Sequence, residues 1–282
     1  MSAPVGWQLV ATTKYWNIWA TPTFYTQYQQ YFTAQNMAYP DSFIDQFIKD
    51  TGYSIFPLVI GDSYDGQHMD LVLDPAYQGG ASTGTGKPGS TFPQFSYGVS
   101  VSPDAIYNVD SGITSFWYYI LVIHESMNVW TGALAKDWVW ADGSTLWNGE
   151  SPYPNMTDIV VTGEIGLTAV SQLQASRFTT DAGVQLFQNI QQTYGWPVYQ
   201  KLFALTRANN ITNWGIYAEP LRTAIICWFM SFAADTSLLA QFNVAIQAYS
   251  GQTIPATTFA QAQTMFPLSL PTQLKIAMIM TG

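Results

Sequence analysis

Positive charge, histidine and cysteine are the scarce things in this sequence. It has nine lysines plus arginines, two histidines and one cysteine in 282 residues. With Cys227 alone, no intrachain disulfide can form. Its setting, Ala-Ile-Ile-Cys-Trp-Phe-Met, predicts a core packer. No run reaches the ~18 to 20 continuous apolar residues of a membrane span, so no transmembrane segment is expected. The net charge of −9, without a basic patch, argues against nucleic acid and anionic membranes as partners. In strong acid the carboxylates are neutral and the few bases limit self-repulsion. That suits an acidic extracellular habitat, and equally a neutral secreted protein with a Thr, Ser, Gln and Asn surface.

Apolar residues make up 48% of the chain, with 11 Trp, 17 Tyr and 16 Phe, so a substantial core is expected. The length suits one large domain or two small ones. Low charge with high hydrophobicity is the opposite of disorder. The start, Met-Ser-Ala-Pro-Val-Gly-Trp, does not read as a signal peptide, so a secreted form implies one already removed. Asn155-Met-Thr and Asn210-Ile-Thr are glycosylation sequons, compatible with secretion.

Residues 7–20 alternate and carry aromatics, which predicts one or two strands. Residues 23–50 read as helical stretches broken at Tyr39-Pro40, with Asp41 as a cap and Gly52 as a stop. Strands are expected at Tyr53–Ile60 and His68–Leu73, with an edge strand at Tyr97–Val101. Residues 78–92 form a Gly/Ser/Thr loop that does not match a phosphate-binding loop. Helices are expected over 113–131, 158–177, 181–194, 196–207, 218–234 and 236–249, with an apolar segment at Leu274–Met280. The layout is α+β. Residues 1–110 are the N-terminal mixed sheet-and-helix part, and 111–282 the motif helix and helical C-terminal subdomain, together one catalytic-type domain.

The segment Tyr118-Tyr-Ile-Leu-Val-Ile-His124-Glu125-Ser-Met-Asn128-Val-Trp-Thr-Gly132 carries the chemistry. His124 and Asn128 are four apart and share one helix face, so both can approach one ion, with Glu125 about 100° around the helix. The helix is apolar nearly all round, so these three need partners. A core His and Asn bonded to backbone would satisfy the same demand. Downstream, Thr162-Gly163-Glu164-Ile-Gly166 places a carboxylate among apolar residues, where it needs a cation or a donor. Asp158 or Thr157 is expected to cap this helix, so Glu164 is alternatively a carboxylate favoured by the N-terminal helix dipole. Gly163 and Gly166 would admit a neighbouring helix. The only other histidine, His68, reads as an exposed turn residue able to complete a site from outside the motif. Asp142 to Glu150 is an oxygen-rich loop without EF-hand spacing, more simply a turn than a calcium site.

His124-Glu125-x-x-Asn128 followed by Gly163-Glu164 resembles the gluzincin metallopeptidases, most nearly their enhancin-like, mucin-cleaving branch. Gln192–Phe203 and Glu219–Asp235 are similar to that group's helical subdomain, so the likeness covers about residues 110–245. It implies a zincin-like fold and a secreted metallopeptidase acting on extracellular protein or glycoprotein. Zinc would be held by His124, Asn128 and Glu164, with Glu125 as general base. Tyr217 or Arg222 would polarise the substrate carbonyl or oxyanion. Asn128 stands where the motif has its second histidine, and an amide oxygen is a poor zinc ligand beside imidazole. Alternatives therefore stand beside catalysis: an inactive zincin-like protein that binds glycan or protein, or a structural surface protein.

Overall fold

The computed structural model describes residues 6–52, 65–73, 81–84, 98–101, 152–209 and 216–268. They form a mixed α+β protein, mostly helical, in two compact units. The first takes residues up to Gln46 and between Ser54 and Trp130; the second takes Phe47–Tyr53 and Thr131–Gly282.

The first unit is built on a five-stranded sheet: β1 (Gln8–Thr12), β2 (Trp16–Ala20), β3 (Met69–Leu73), β4 (Ala81–Gly84) and β5 (Gly98–Val101), in the order β1-β2-β3-β5-β4. The three central strands run parallel, and both edge pairings are antiparallel. Residues 7–20 do supply two strands, joined by a turn at Thr13–Tyr15 and irregular between Leu9 and Ala11. Every residue of β2 and β3 is buried, as expected of central parallel strands covered on both faces. Asn17 and Asp70 are the polar exceptions and are register partners. Trp19 donates its indole N–H to Asp70 at 2.7 Å. The strand expected at the sheet edge over Tyr97–Val101 is present as Gly98–Val101 but lies inside the sheet, paired on both sides by β3 and β4, and β4 occupies part of the expected Gly/Ser/Thr loop.

Helix α1 (Pro22–Tyr28) follows β2, capped by the Thr21 hydroxyl on the Phe24 N–H. Helix α2 (Ala34–Thr51) corrects the expected break at Tyr39-Pro40, because the helix runs through Pro40. Proline removes one backbone N–H but leaves the rest of the ladder intact. Asp41 is accordingly not a cap. Its carboxylate instead accepts from the Lys14 N–H, the Tyr15 N–H and the Thr13 hydroxyl at 2.9, 3.1 and 2.9 Å, tying the β1–β2 turn to α2. Gly52, at φ +63°, ends the helix as expected.

The second unit holds α3 (Pro152–Glu164), α4 (Thr168–Arg177), α5 (Ala182–Tyr194), α6 (Pro197–Ala208), α7 (Leu221–Ala233), α8 (Leu239–Ser250) and α9 (Ala256–Met265). Asp181 caps α5 through the Val184 N–H at 2.8 Å. Helix α7 is the most apolar of these and packs on α6, α8 and α9. An aromatic cluster of Tyr153, Phe187, Tyr199 and Phe203 joins α3, α5 and α6, and the Tyr199 hydroxyl donates to the Phe187 carbonyl at 2.7 Å. Cys227 is wholly buried in α7, where burial pushes its thiol up to about 12 and leaves it inert. Helix α9 was not legible as an element in the sequence. Among the described residues, no helix is long and apolar enough to cross a membrane.

Candidate functional site

Of the expected site residues, His124, Glu125 and Asn128 lie outside the described residues. So do the expected helix 113–131, the strand Tyr53–Ile60, the Asp142–Glu150 loop, the Asn210 sequon and Leu274–Met280. Glu164, Tyr217, Arg222 and His68 are described.

The helix expected over 158–177 is two helices, α3 and α4, and Glu164 closes the first. Gly166 (φ +83°) provides the left-handed residue that ends α3. The Leu167 N–H donates to the Thr162 carbonyl at 2.8 Å and the Gly166 N–H to the Gly163 carbonyl at 3.1 Å, which is a Schellman closure. Asp158 and Thr157 therefore sit inside α3, fully buried, and cap nothing. The earlier start follows from Pro152, since proline at the first helical position needs no N–H partner. Asn155 is buried in the same helix, only 5% exposed, so the folded chain does not offer that sequon for glycosylation.

This placement reverses the dipole argument for Glu164. The carboxylate lies at the negative end of α3, where the helix disfavours it. What holds it is Trp196, whose indole N–H donates to Glu164 Oε1 at 3.0 Å. Trp196 is fixed in turn between Gly195, at φ +70°, and the first residue of α6, with its ring 5.7 Å from that of Tyr199. Glu164 is exposed, and among the described residues its second oxygen accepts no hydrogen bond. The role of Trp196 escaped sequence reasoning, because its 32-residue separation from Glu164 gives no local signal. Gly163 does permit close approach: a Cβ there would meet Ser171 Oγ at 3.1 Å. Gly166 does not, since a Cβ there meets nothing within 4 Å; its glycine serves the turn.

Arg222 and Tyr217 lie near the start of α7 and have other partners. Arg222 Nε donates to Glu219 Oε1 at 3.1 Å, in a pair with side chains 17% and 10% exposed. Glu219 Oε2 accepts from the Thr223 N–H and hydroxyl at 3.2 and 2.8 Å, so Glu219 organises the first turn of α7. The Tyr217 ring packs edge-on against Phe266. No hydrogen bond or ion pair joins Glu164 to either residue.

His68 is more ordered than a free turn histidine. Its Nδ1 lies 2.7 Å from Asp65 Oδ2, which also accepts from Asn17 Nδ2 at 2.8 Å. Asp65 Oδ1 takes the backbone N–H groups of Gln67 and His68 at 2.8 and 2.9 Å. Burial alone would raise the Asp65 carboxyl, but these donors from Asn17, His68 and Gln67 outweigh it and hold the group well below the usual carboxylate range. An ionised carboxylate only accepts, so the proton sits on His68 Nδ1 and Nε2 is left as the acceptor in the neutral ring.

A zinc-bound carboxylate commonly coordinates through one oxygen while its other oxygen takes an N–H donor. Glu164, with Oε1 on Trp196 and its second oxygen unbonded among the described residues, has that form. Among the described residues, no three of His, Cys, Asp and Glu converge on a metal-sized point. Compared with protein-family models, with curated proteins and with solved structures, the chain matches none.

Proposed function

We propose that the chain is a secreted, zincin-like metallopeptidase that hydrolyses extracellular protein or glycoprotein. The observation that carries this reading is the Glu164 carboxylate: exposed, pinned through one oxygen by Trp196 and, among the described residues, unbonded at the other. It complements the His124-Glu125 pair in the sequence, where an imidazole and a carboxylate are adjacent. In this reading His124 and Glu164 hold zinc, with the Asn128 amide oxygen as a weaker third donor. The metal would supply Lewis acidity. Glu125 takes the proton from the attacking water as it adds to the scissile carbonyl, and returns it to the leaving amine as the C–N bond breaks. Arg222 or Tyr217 faces the developing oxyanion; Arg222, already paired with Glu219, would share its guanidinium between the two.

The test is cleavage of a denatured protein and of a mucin-type glycoprotein by the zinc-reconstituted chain. The reading expects cleavage that Glu125→Gln abolishes while zinc content is unchanged. Cleavage that survives Glu125→Gln, or none by the zinc-loaded chain, contradicts it. A second reading is favoured by Asn128: a zincin-like protein that binds glycan or protein without cleaving it. Retained binding in the Glu125→Gln variant, with no turnover in either form, would select it.

A further inference from the structure

A cavity of about 250 Å³ opens where the turn after α7 meets α9. Its apolar wall is three rings: Trp228 and Phe232 on α7, and Phe259 on α9. The ring of Trp228 is 5.8 Å from that of Phe232 and 6.2 Å from that of Phe259, both edge-on. Trp228 is not free to rotate, because its indole N–H donates to the Phe266 carbonyl at 2.8 Å. Its rim is also polar. Asp235, Ser237 and Gln263 line it, all exposed, and among the described residues their side chains make no hydrogen bond.

Asp235 is conspicuous there because the backbone does not favour it. The Thr236 N–H donates to the Ser231 carbonyl at 3.1 Å and the Asp235 N–H to the Phe232 carbonyl at 3.3 Å, closing α7 in a Schellman motif. The left-handed position of that motif usually belongs to glycine. Here it is Asp235, at φ +55°, the only described residue other than glycine with positive φ. Its charge also sits at the negative end of the helix. Ser231 makes the turn rigid, donating to the Cys227 carbonyl at 2.6 Å and accepting the Leu238 N–H at 3.0 Å. A carboxylate kept against both backbone and dipole, beside a fixed aromatic wall, points to a ligand rather than to stability.

We infer that this cavity binds one hexose ring, as a carbohydrate-recognition site. The chemistry of the two sides selects the class. A pyranose has an apolar face of C–H groups that stacks on an aromatic ring, and an edge of hydroxyls that both donate and accept. Asp235 accepts from two neighbouring hydroxyls, while Gln263 and Ser237 offer both donors and acceptors. The volume is below that of a drug-sized pocket and suits a single ring. An alkylammonium ion is the competing ligand for aromatics beside a carboxylate, but it uses no donor and would leave Ser237 and Gln263 without purpose. The site stands independently of the metallopeptidase reading.

The experiment is saturation-transfer NMR on the full chain, using methyl glycosides of glucose, galactose, mannose and N-acetylglucosamine, with choline as the cationic control. Transfer to the ring protons of at least one glycoside is expected. Asp235→Asn, which removes the charge at nearly constant shape, should weaken that binding about tenfold, and Gln263→Ala should weaken it also. Both variants should retain the far-ultraviolet circular dichroism of the parent. No transfer to any glycoside, transfer to choline instead, or transfer that neither substitution weakens overturns the assignment.

Discussion

Replacing Asp235 with glycine should make the protein more stable. Asp235 holds φ at +55° and, among the described residues, its side chain takes no hydrogen bond, so the left-handed backbone is uncompensated and costs roughly 1–2 kcal/mol. Its charge at the α7 C-terminus costs a further ~0.3–1 kcal/mol. Glycine removes both, but loosens the unfolded chain by about 0.4–1 kcal/mol. The net is a stabilisation of about 1 kcal/mol. In urea unfolding followed by circular dichroism, that raises the midpoint by about 0.3 M for an m-value near ~3 kcal/mol/M, with m unchanged. Asp235→Ala removes the charge but keeps the strain, so it should fall clearly below glycine. The reasoning is refuted if Asp235→Gly is less stable than the parent, or if alanine and glycine stabilise equally. A gain in stability together with loss of hexose binding would mark Asp235 as a residue retained for function at the expense of the fold.

Gly166→Ala should destabilise by about 1 kcal/mol, measured the same way, because φ is +83° there and the added Cβ finds nothing to pack on. Phe187→Ala, at the wholly buried junction of Tyr153, Tyr199 and Phe242, should cost about 3–5 kcal/mol. Tyr199→Phe, which loses only the hydroxyl bond to the Phe187 carbonyl, should cost about 1 kcal/mol. Asp65 sets an acid limb. Its folded carboxyl titrates below the unfolded one, so its stabilisation is complete above the ordinary carboxylate range and is lost as pH falls through and beneath it. Asp65→Asn should therefore flatten the fall of stability between about pH 4 and pH 2, read as melting temperature against pH.

The sequence made the helical half largely legible. The helices expected over 181–194, 196–207 and 218–234 are present as α5, α6 and α7, with ends within a few residues. Periodicity carries that information because each helix buries one broad face. Boundaries failed at two prolines. Pro40 is carried inside α2, while Pro152 opens α3 six residues before the expected cap at Asp158. Helix α9 was missed because its core contribution is small: only Phe259 and Ala262 are buried in it. At the candidate site, Glu164 could be singled out as a carboxylate in apolar company. Its setting could not, because the Trp196 indole and the helix end that define it depend on how α3 and α5 pack. The Asp235 turn was equally hidden: the residue type is visible, but its positive φ belongs to the helix ending built around it.

The central claim is that His124 and Glu164 hold one metal ion, and elemental analysis after dialysis against zinc at neutral pH tests it most directly. The account predicts about one zinc per chain in the parent, with His124→Ala and Glu164→Ala each losing it and Arg222→Lys retaining it. A parent chain that comes through reconstitution folded and without zinc, or a stoichiometry indifferent to both His124 and Glu164, would contradict it.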